Sequence, residues 1–167
     1  MFHSDVIIPD KKMRATARAI IIRDGKVLLF ERWRHDLTGK QLHYFSIPGG
    51  GIDPGETPEQ AVVRELQEEM LIEVKPLKLL ARQSALKRKN YHYYYLCEIV
   101  SGTPRFNTNS EEGRFRHFSL NRYDIAWVPL EQIAENIHHD EYRQMIELLP
   151  SLLSDASSET VDIVSEG

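Results

Sequence analysis

The stretch Gly50-Gly51-Ile52-Asp53-Pro54-Gly55-Glu56-Thr57-Pro58-Glu59-Gln60-Ala61-Val62-Val63-Arg64-Glu65-Leu66-Gln67-Glu68-Glu69-Met70-Leu71-Ile72 decides how this chain is read. Its first third is a polar loop, with glycines at positions 50, 51 and 55 and a proline at 54. Its remainder is a helix with a written start. Thr57 is placed to cap the N-terminus, Pro58 to take the first helical position, and Gln60 to close a capping box. At about 100° per residue, Val62, Val63, Leu66 and Met70 share one arc, which predicts a core-facing stripe over a helix ending near Met70. Glu65, Glu68 and Glu69 fall together on the face beside that stripe. Three carboxylates at spacings of three and four repel by a few tenths of a kcal/mol per pair on a bare helix. They also crowd the C-terminal end, where the helix dipole disfavours anions. A bound cation reverses both penalties, and clustered carboxylate oxygens suit hard ions such as Mg²⁺ or Mn²⁺. The plain alternative is a solvated acidic face. Against it stand the glycine-rich turn just before the helix, where backbone can approach a ligand closely, and Glu56 in the loop, with Arg64 on the helix to pair with.

Outward from this stretch the pattern is mostly strand. Ala15–Arg23 and Lys26–Arg32 flank Asp24-Gly25, which predicts a hairpin with a type I′ turn. Residues 42–47 predict a third strand, broken by Pro48-Gly49-Gly50-Gly51. Residues 72–86 and 91–100 predict two more, joined by the basic link Lys87-Arg88-Lys89-Asn90. After a polar loop over 101–113, further strands are expected at 114–119 and 125–128, then a helix near 130–137 and another over 140–149, stopped by Pro150. Strands, one helix, more strands and final helices make an α/β protein with a mixed sheet covered by helices. Residues 1–13 are expected to be an arm, 14–150 the domain, and 151–167 an acidic, flexible tail.

Composition narrows the function. The 167 residues hold one cysteine, 21 Lys+Arg and 25 Asp+Glu, with 41% hydrophobic and 28% charged residues. This is ordinary globular usage, and one domain's worth of chain. Residues 151–167 contain four acidic groups and no basic ones, so the other 150 residues carry 21 of each sign. A neutral body argues against a nucleic-acid polymer as partner. No apolar run approaches the roughly 18 residues of a membrane span. The N-terminus shows no signal-peptide stretch, and Cys97 has no intramolecular partner, so a cytoplasmic setting is expected.

The residues of the opening stretch resemble the Nudix box, Gx5Ex7REUxEExGU, where U is aliphatic. Gly50, Glu56, Arg64-Glu65-Leu66, Glu68-Glu69 and Ile72 match eight of nine defined positions across 23 residues. Leu71 stands where the family usually has glycine. It must either accept a left-handed conformation at a steric penalty or shift the helix end by a residue. The flanks Pro48-Gly49-Gly50, Leu28-Leu29-Phe30-Glu31-Arg32 and Trp127-Val128-Pro129-Leu130 look like Nudix sequences too, extending the resemblance over roughly residues 14–149.

The resemblance implies a Nudix-type α/β/α sandwich and a hydrolase for nucleoside diphosphate derivatives. It implies that Glu65, Glu68 and Glu69 hold Mg²⁺ or Mn²⁺, with the Gly50 carbonyl as a further ligand, and that Glu56 and Arg64 form a structural ion pair. Glu68 or Glu65 is the first choice for the base that activates water. Glu111 or Glu112, from the later loop, comes second against the simpler reading of a solvated loop. Arg32 resembles a phosphate-contacting arginine of MutT-like members; the alternative is an ion pair with Glu31 or Asp36. Trp33 and Tyr44 are candidates to stack a base, as are Tyr91, Tyr93, Tyr94 and Tyr95, although core packing explains each of these strand tyrosines more simply. Strand alternation places Tyr91, Tyr93 and Tyr95 on one face and His92 and Tyr94 on the other. Lys87, Arg88 and Lys89 either steer an anion or form a solvated tip. The histidines, His138-His139 included, lack metal-ligand spacing. The expected substrate is a small nucleotide, first a nucleoside triphosphate giving NMP and pyrophosphate, then ADP-ribose or a nucleotide sugar. A non-catalytic ligand sensor is the alternative from another class, which the intact glutamates disfavour. Many Nudix proteins are homodimers, but nothing in the chain fixes an interface.

Overall fold

A computed structural model describes residues 13–107, 122–136, 140–154 and 159–165. The expected strand at 114–119, Glu111, Glu112, His138, His139 and the arm before residue 13 lie outside these residues.

The elements run β1 (Arg14–Ile20), β2 (Ile22–Arg23), β3 (Lys26–His35), β4 (Gln41–Ser46), β5 (Gly49–Gly51), α1 (Pro58–Met70), β6 (Glu73–Ala85), β7 (Asn90–Ser101), β8 (Arg122–Pro129), α2 (Leu130–Asn136), α3 (Asp140–Ser154) and β9 (Val161–Ser165). One sheet is mixed, in the order β5-β1-β7-β6-β9. In the other, β3 pairs antiparallel with β2, β4 and β8.

Asp24 and Gly25 both have positive φ, 53° and 72°, as a type I′ turn requires. The hairpin they close is shorter than the sequence suggests. Ladder pairing covers only Ile22↔Val27 and Arg23↔Lys26. Before Ile21 the chain crosses to the first sheet, where β1 pairs parallel with β7 and antiparallel with β5. The apolar runs on both sides of the turn are needed by two sheets at once. Val27 and Leu29 pack into one core cluster, Leu28 and Phe30 into the other. The cluster holding Leu28 and Phe30 lies under α1; the cluster holding Val27 and Leu29 lies under α2 and α3. The result is the expected α/β/α sandwich.

Pro48-Gly49-Gly50-Gly51 breaks the strand as expected, since β4 ends at Ser46, and Gly49–Gly51 then forms β5, whose lack of side chains lets it press against β1. Two expectations are corrected. Pro150 does not stop α3, which continues to Ser154. Leu149 and Leu152 on either side of the proline are buried in the core, and that packing outweighs the lost hydrogen bond. The expected flexible tail is ordered where it is described: residues 151–154 continue α3, and Val161–Ser165 form β9, a parallel strand on β6. Ile163 is buried, and Asp162 accepts from Arg82 Nε at 2.9 Å.

Leu71 takes the first of its two alternatives. It ends α1 in the left-handed conformation, φ 57° and ψ 34°. That region strains a non-glycine residue by about 1–2 kcal/mol, and glycine relieves it while giving back some unfolded-chain entropy. Leu71→Gly is therefore expected to raise unfolding stability by about 1 kcal/mol. Urea denaturation checks this; a midpoint at or below wild type would contradict it.

Candidate active site

Helix α1 begins as its sequence indicates. Thr57 Oγ1 accepts from the Gln60 amide at 3.1 Å, and Gln60 Oε1 accepts from the Thr57 amide at 2.9 Å. Ala61, Val62, Leu66 and Met70 are buried against β1, β6 and β7, with Val63 packed at the margin. This fixes the rotation of the helix and turns Glu65 toward β5.

Arg64 organises the polar face. It grips Glu56 through two parallel hydrogen bonds, Nε to Oε2 at 2.8 Å and Nη2 to Oε1 at 2.9 Å. Nη2 also donates to the Gly51 carbonyl at 2.9 Å, tying β5 to α1. Nη1 reaches Glu65 Oε1 at 2.9 Å and Glu68 Oε2 at 3.3 Å. Arg64 and the Asp53 amide, which donates to Glu56 at 3.0 Å, pull the Glu56 carboxyl down to about 2. Glu56 is thus a fixed anion that anchors the loop.

The glutamates differ in setting. Glu65 is largely enclosed, its side chain 14% exposed, while that of Glu68 is 56% exposed. Burial pushes the Glu65 carboxyl upward, and Arg64 works against the rise; Glu68 adds a smaller repulsive push, and Arg18 a smaller pull downward. A Cβ on Gly50 would lie 2.5–2.6 Å from the Glu65 carboxylate group. Glycine is what allows that carboxylate to seat against β5.

These residues fit a hard divalent ion in kind. The side-chain donors are all oxygens, and Glu65 is a largely enclosed carboxylate whose charge a cation would stabilise. They are not preassembled. Among the described residues no three acidic, histidine or cysteine side chains converge as a metal-holding group. The Arg64 guanidinium provides the positive charge between Glu65 and Glu68.

The other predicted residues separate. Arg32 lies on β3 with Nε donating to Ser46 Oγ at 2.7 Å and its guanidinium over the rings of Tyr123 (4.9 Å) and Phe30 (5.5 Å). Phe30 belongs to the cluster under α1, so Arg32 continues that face outward. Its suggested partners are engaged elsewhere: Glu31 with His43, Asp36 with Thr38 and Lys40. Tyr44 sits directly opposite Arg32 in the β3–β4 ladder and accepts from Arg34 Nη1 at 3.2 Å. It lines an open cavity of about 840 Å³ shared with Arg34, Lys40, His43 and Arg88. Trp33, on the opposite face, stacks on His43 at 5.0 Å. The strand tyrosines pack in the body. Tyr91, Tyr94 and Tyr95 are buried; Tyr95 donates to Glu59 at 3.0 Å and Tyr94 to Gln83. Burial pushes the Cys97 thiol up to about 12, which makes it inert.

Sequence reasoning missed two contributors. Arg18, on β1, donates to the Ile47 carbonyl at 2.8 Å beside the glycine turn, and its charge acts on Glu65. Asn107 meets the far end of α1, with its backbone amide on the Glu69 carbonyl at 3.0 Å and its side-chain amide on the Glu68 carbonyl at 2.6 Å. A signal for such a donor did exist: the last turn of α1 has no basic residue and no glycine follows it, so its carbonyls need partners from elsewhere.

Comparison with known proteins supplies the family. The family model described as NUDIX domain matches residues 13–149. The RNA pyrophosphohydrolase of Yersinia enterocolitica is 40% identical over 166 residues, covering 88% of this chain and 89% of the relative. The ADP-ribose pyrophosphatase of Methanocaldococcus jannaschii is 32% identical over 121 residues, 70% of this chain and 68% of its own. The crystal structure of the MutT NUDIX hydrolase from Burkholderia pseudomallei superposes with a TM-score of 0.59 at 28% identity, covering 82% of this chain and 98% of that one.

Proposed function

The chain belongs to the NUDIX domain family and is a Nudix hydrolase, and from that premise we propose that it hydrolyses a nucleoside triphosphate to NMP and pyrophosphate with Mg²⁺ or Mn²⁺ as cofactor. The observation that carries the chemistry is the pairing of an enclosed Glu65 seated on Gly50 with a solvent-facing Glu68, both held by Arg64. When bound, a divalent ion supplies neutralisation of the phosphates and a lower pKa for the attacking water.

The chain's own groups do the rest. Glu65, Glu68 and Glu69, with the Gly50 carbonyl, would hold the ion. Glu68, exposed to solvent, takes the proton of the water as its oxygen bonds to one phosphorus and the bridging oxygen leaves with the other. Glu65 is the alternative base; Glu112 would act from the later loop. Arg32, with Tyr44 beside it, receives a phosphate or the nucleoside on the face that runs outward from α1. Catalysis of this kind is mostly positioning and charge stabilisation, which a helix held at both ends supplies.

The triphosphate is favoured by the likeness to the MutT protein, matched over nearly its full length. A second reading, an RNA bearing the pyrophosphate linkage, is favoured by the 40% identity to the Yersinia enzyme. ADP-ribose stands third, by the shorter archaeal match. Phosphate and pyrophosphate release should be measured with Mg²⁺ on nucleoside triphosphates, 5′-triphosphorylated RNA and ADP-ribose. A preference for free triphosphates by tenfold or more in kcat/KM is expected. A preference for the RNA would replace the first reading with the second, and no turnover of any of them would point to a ligand sensor.

A further inference from the structure

A helix leaves its last four carbonyls without partners of its own, and in α1 these belong to Gln67, Glu68, Glu69 and Met70. All four are nevertheless engaged. Gln67 accepts from the Leu71 amide at 3.2 Å. Met70 accepts from the Arg105 amide at 3.2 Å, and Glu69 from the Asn107 amide at 3.0 Å. Glu68 accepts from the Asn107 side-chain amide at 2.6 Å. Three of the four donors thus come from residues 105–107, which follow β7 and lie more than 30 positions further along the chain.

The segment is itself docked. Phe106 packs on Phe30 with ring centroids 5.7 Å apart. Gly102 approaches so closely that a Cβ there would lie 2.8 Å from the Leu71 carbonyl. The end of α1 would otherwise fray readily. Its carboxylates repel one another, it lies at the negative pole of the helix, and it closes on a strained Leu71.

We propose that Asn107 is a positioning residue of the divalent-ion site, fixing the turn that carries Glu68 and Glu69 by gripping the carbonyls of those same two residues. This rests on the assignment of the three glutamates to the ion. The backbone of Glu68 and Glu69 sets where their carboxylates start, so a turn that unwinds or tilts takes both away from Glu65. Asn107 touches neither substrate nor reacting atoms in this role. It acts through the helix, as outer partners of metal ligands do elsewhere.

The test is Mn²⁺ binding followed by electron paramagnetic resonance without substrate, on the whole chain. Asn107→Ala and Asn107→Asp are each expected to weaken Mn²⁺ about tenfold. Asp keeps the size of the side chain and its backbone amide while removing the side-chain donor. Thr57→Ala serves as the control: it loosens the same helix at its opposite end, and its Mn²⁺ affinity should stay within about twofold of wild type. If wild type binds Mn²⁺ and both Asn107 variants match it, the positioning role is refuted. Equal weakening by Thr57→Ala would reduce the effect to general helix stability and refute it as well. Failure of wild type to bind Mn²⁺ at millimolar concentration would overturn the metal assignment itself, and this inference with it.

Discussion

Glu68→Gln is expected to lower divalent-dependent turnover by about 10²–10⁴-fold, the usual contribution of a positioned base. The substitution keeps the side chain's shape and one oxygen while removing its charge and basicity. Little of the fold is at risk, because Glu68 is 56% exposed and its contact with Arg64 is the longest that guanidinium makes to a glutamate, 3.3 Å. Exposed pairs of this kind contribute about 0–1 kcal/mol. Circular dichroism and the urea midpoint should therefore stay near wild type while turnover collapses. Retention of more than a tenth of wild-type turnover would remove Glu68 as the base and shift the role to Glu65 or Glu112.

Gly49→Ala is expected to destabilise the protein by about 3 kcal/mol or more, combining backbone strain with overpacking. Gly49 has φ of 141°, and a Cβ there would meet the Ala17 carbonyl oxygen at 2.2 Å and the Arg18 Cα at 2.7 Å. Both are backbone atoms of β1 that move only with the strand. Its neighbour behaves differently. The atoms nearest a Cβ on Gly50 are the tip of Glu65, a side-chain end that can swing away. Gly50→Ala should fold at nearly the wild-type midpoint and lose activity, because the carboxylate leaves its seat. Urea unfolding and turnover of both variants separate the two roles. A wild-type midpoint for Gly49→Ala would show that β1 and β5 can part at little cost.

The parts legible in the sequence were those set by local chemistry. Thr57, Pro58 and Gln60 specify the start of α1 through bonds within four residues. The burial of Val62, Leu66 and Met70 follows from periodicity, which places Val63 with them although it lies only at the margin and does not single out Ala61; Asp24-Gly25 marks a turn. What was not legible depends on distant partners. The switch of β1 into the other sheet is decided by β7, and β9 by β6. α3 runs past Pro150 because Leu149 and Leu152 find a core that no local pattern displays. Within the site, the Glu56–Arg64 contact could be anticipated from the motif. The seat of Glu65 on Gly50 and the grip of Asn107 could not, since each joins segments that only the fold brings together.

The pairing of β5 has a consequence for when the site comes into being. Among the described residues Gly49–Gly51 pairs in register with β1 alone, and β1 pairs with β7, whose partner residues lie 76 positions away. Closing a flexible loop of that length lowers chain entropy by about 4 kcal/mol from the logarithmic term alone. The β6–β7 hairpin and α1, by contrast, need only local closures and form on faster timescales. The acidic helix can therefore exist before the strand its Glu65 rests on. Hydrolytic competence waits on that long-range closure, and a chain arrested before it would carry every glutamate of the motif without a place to use them.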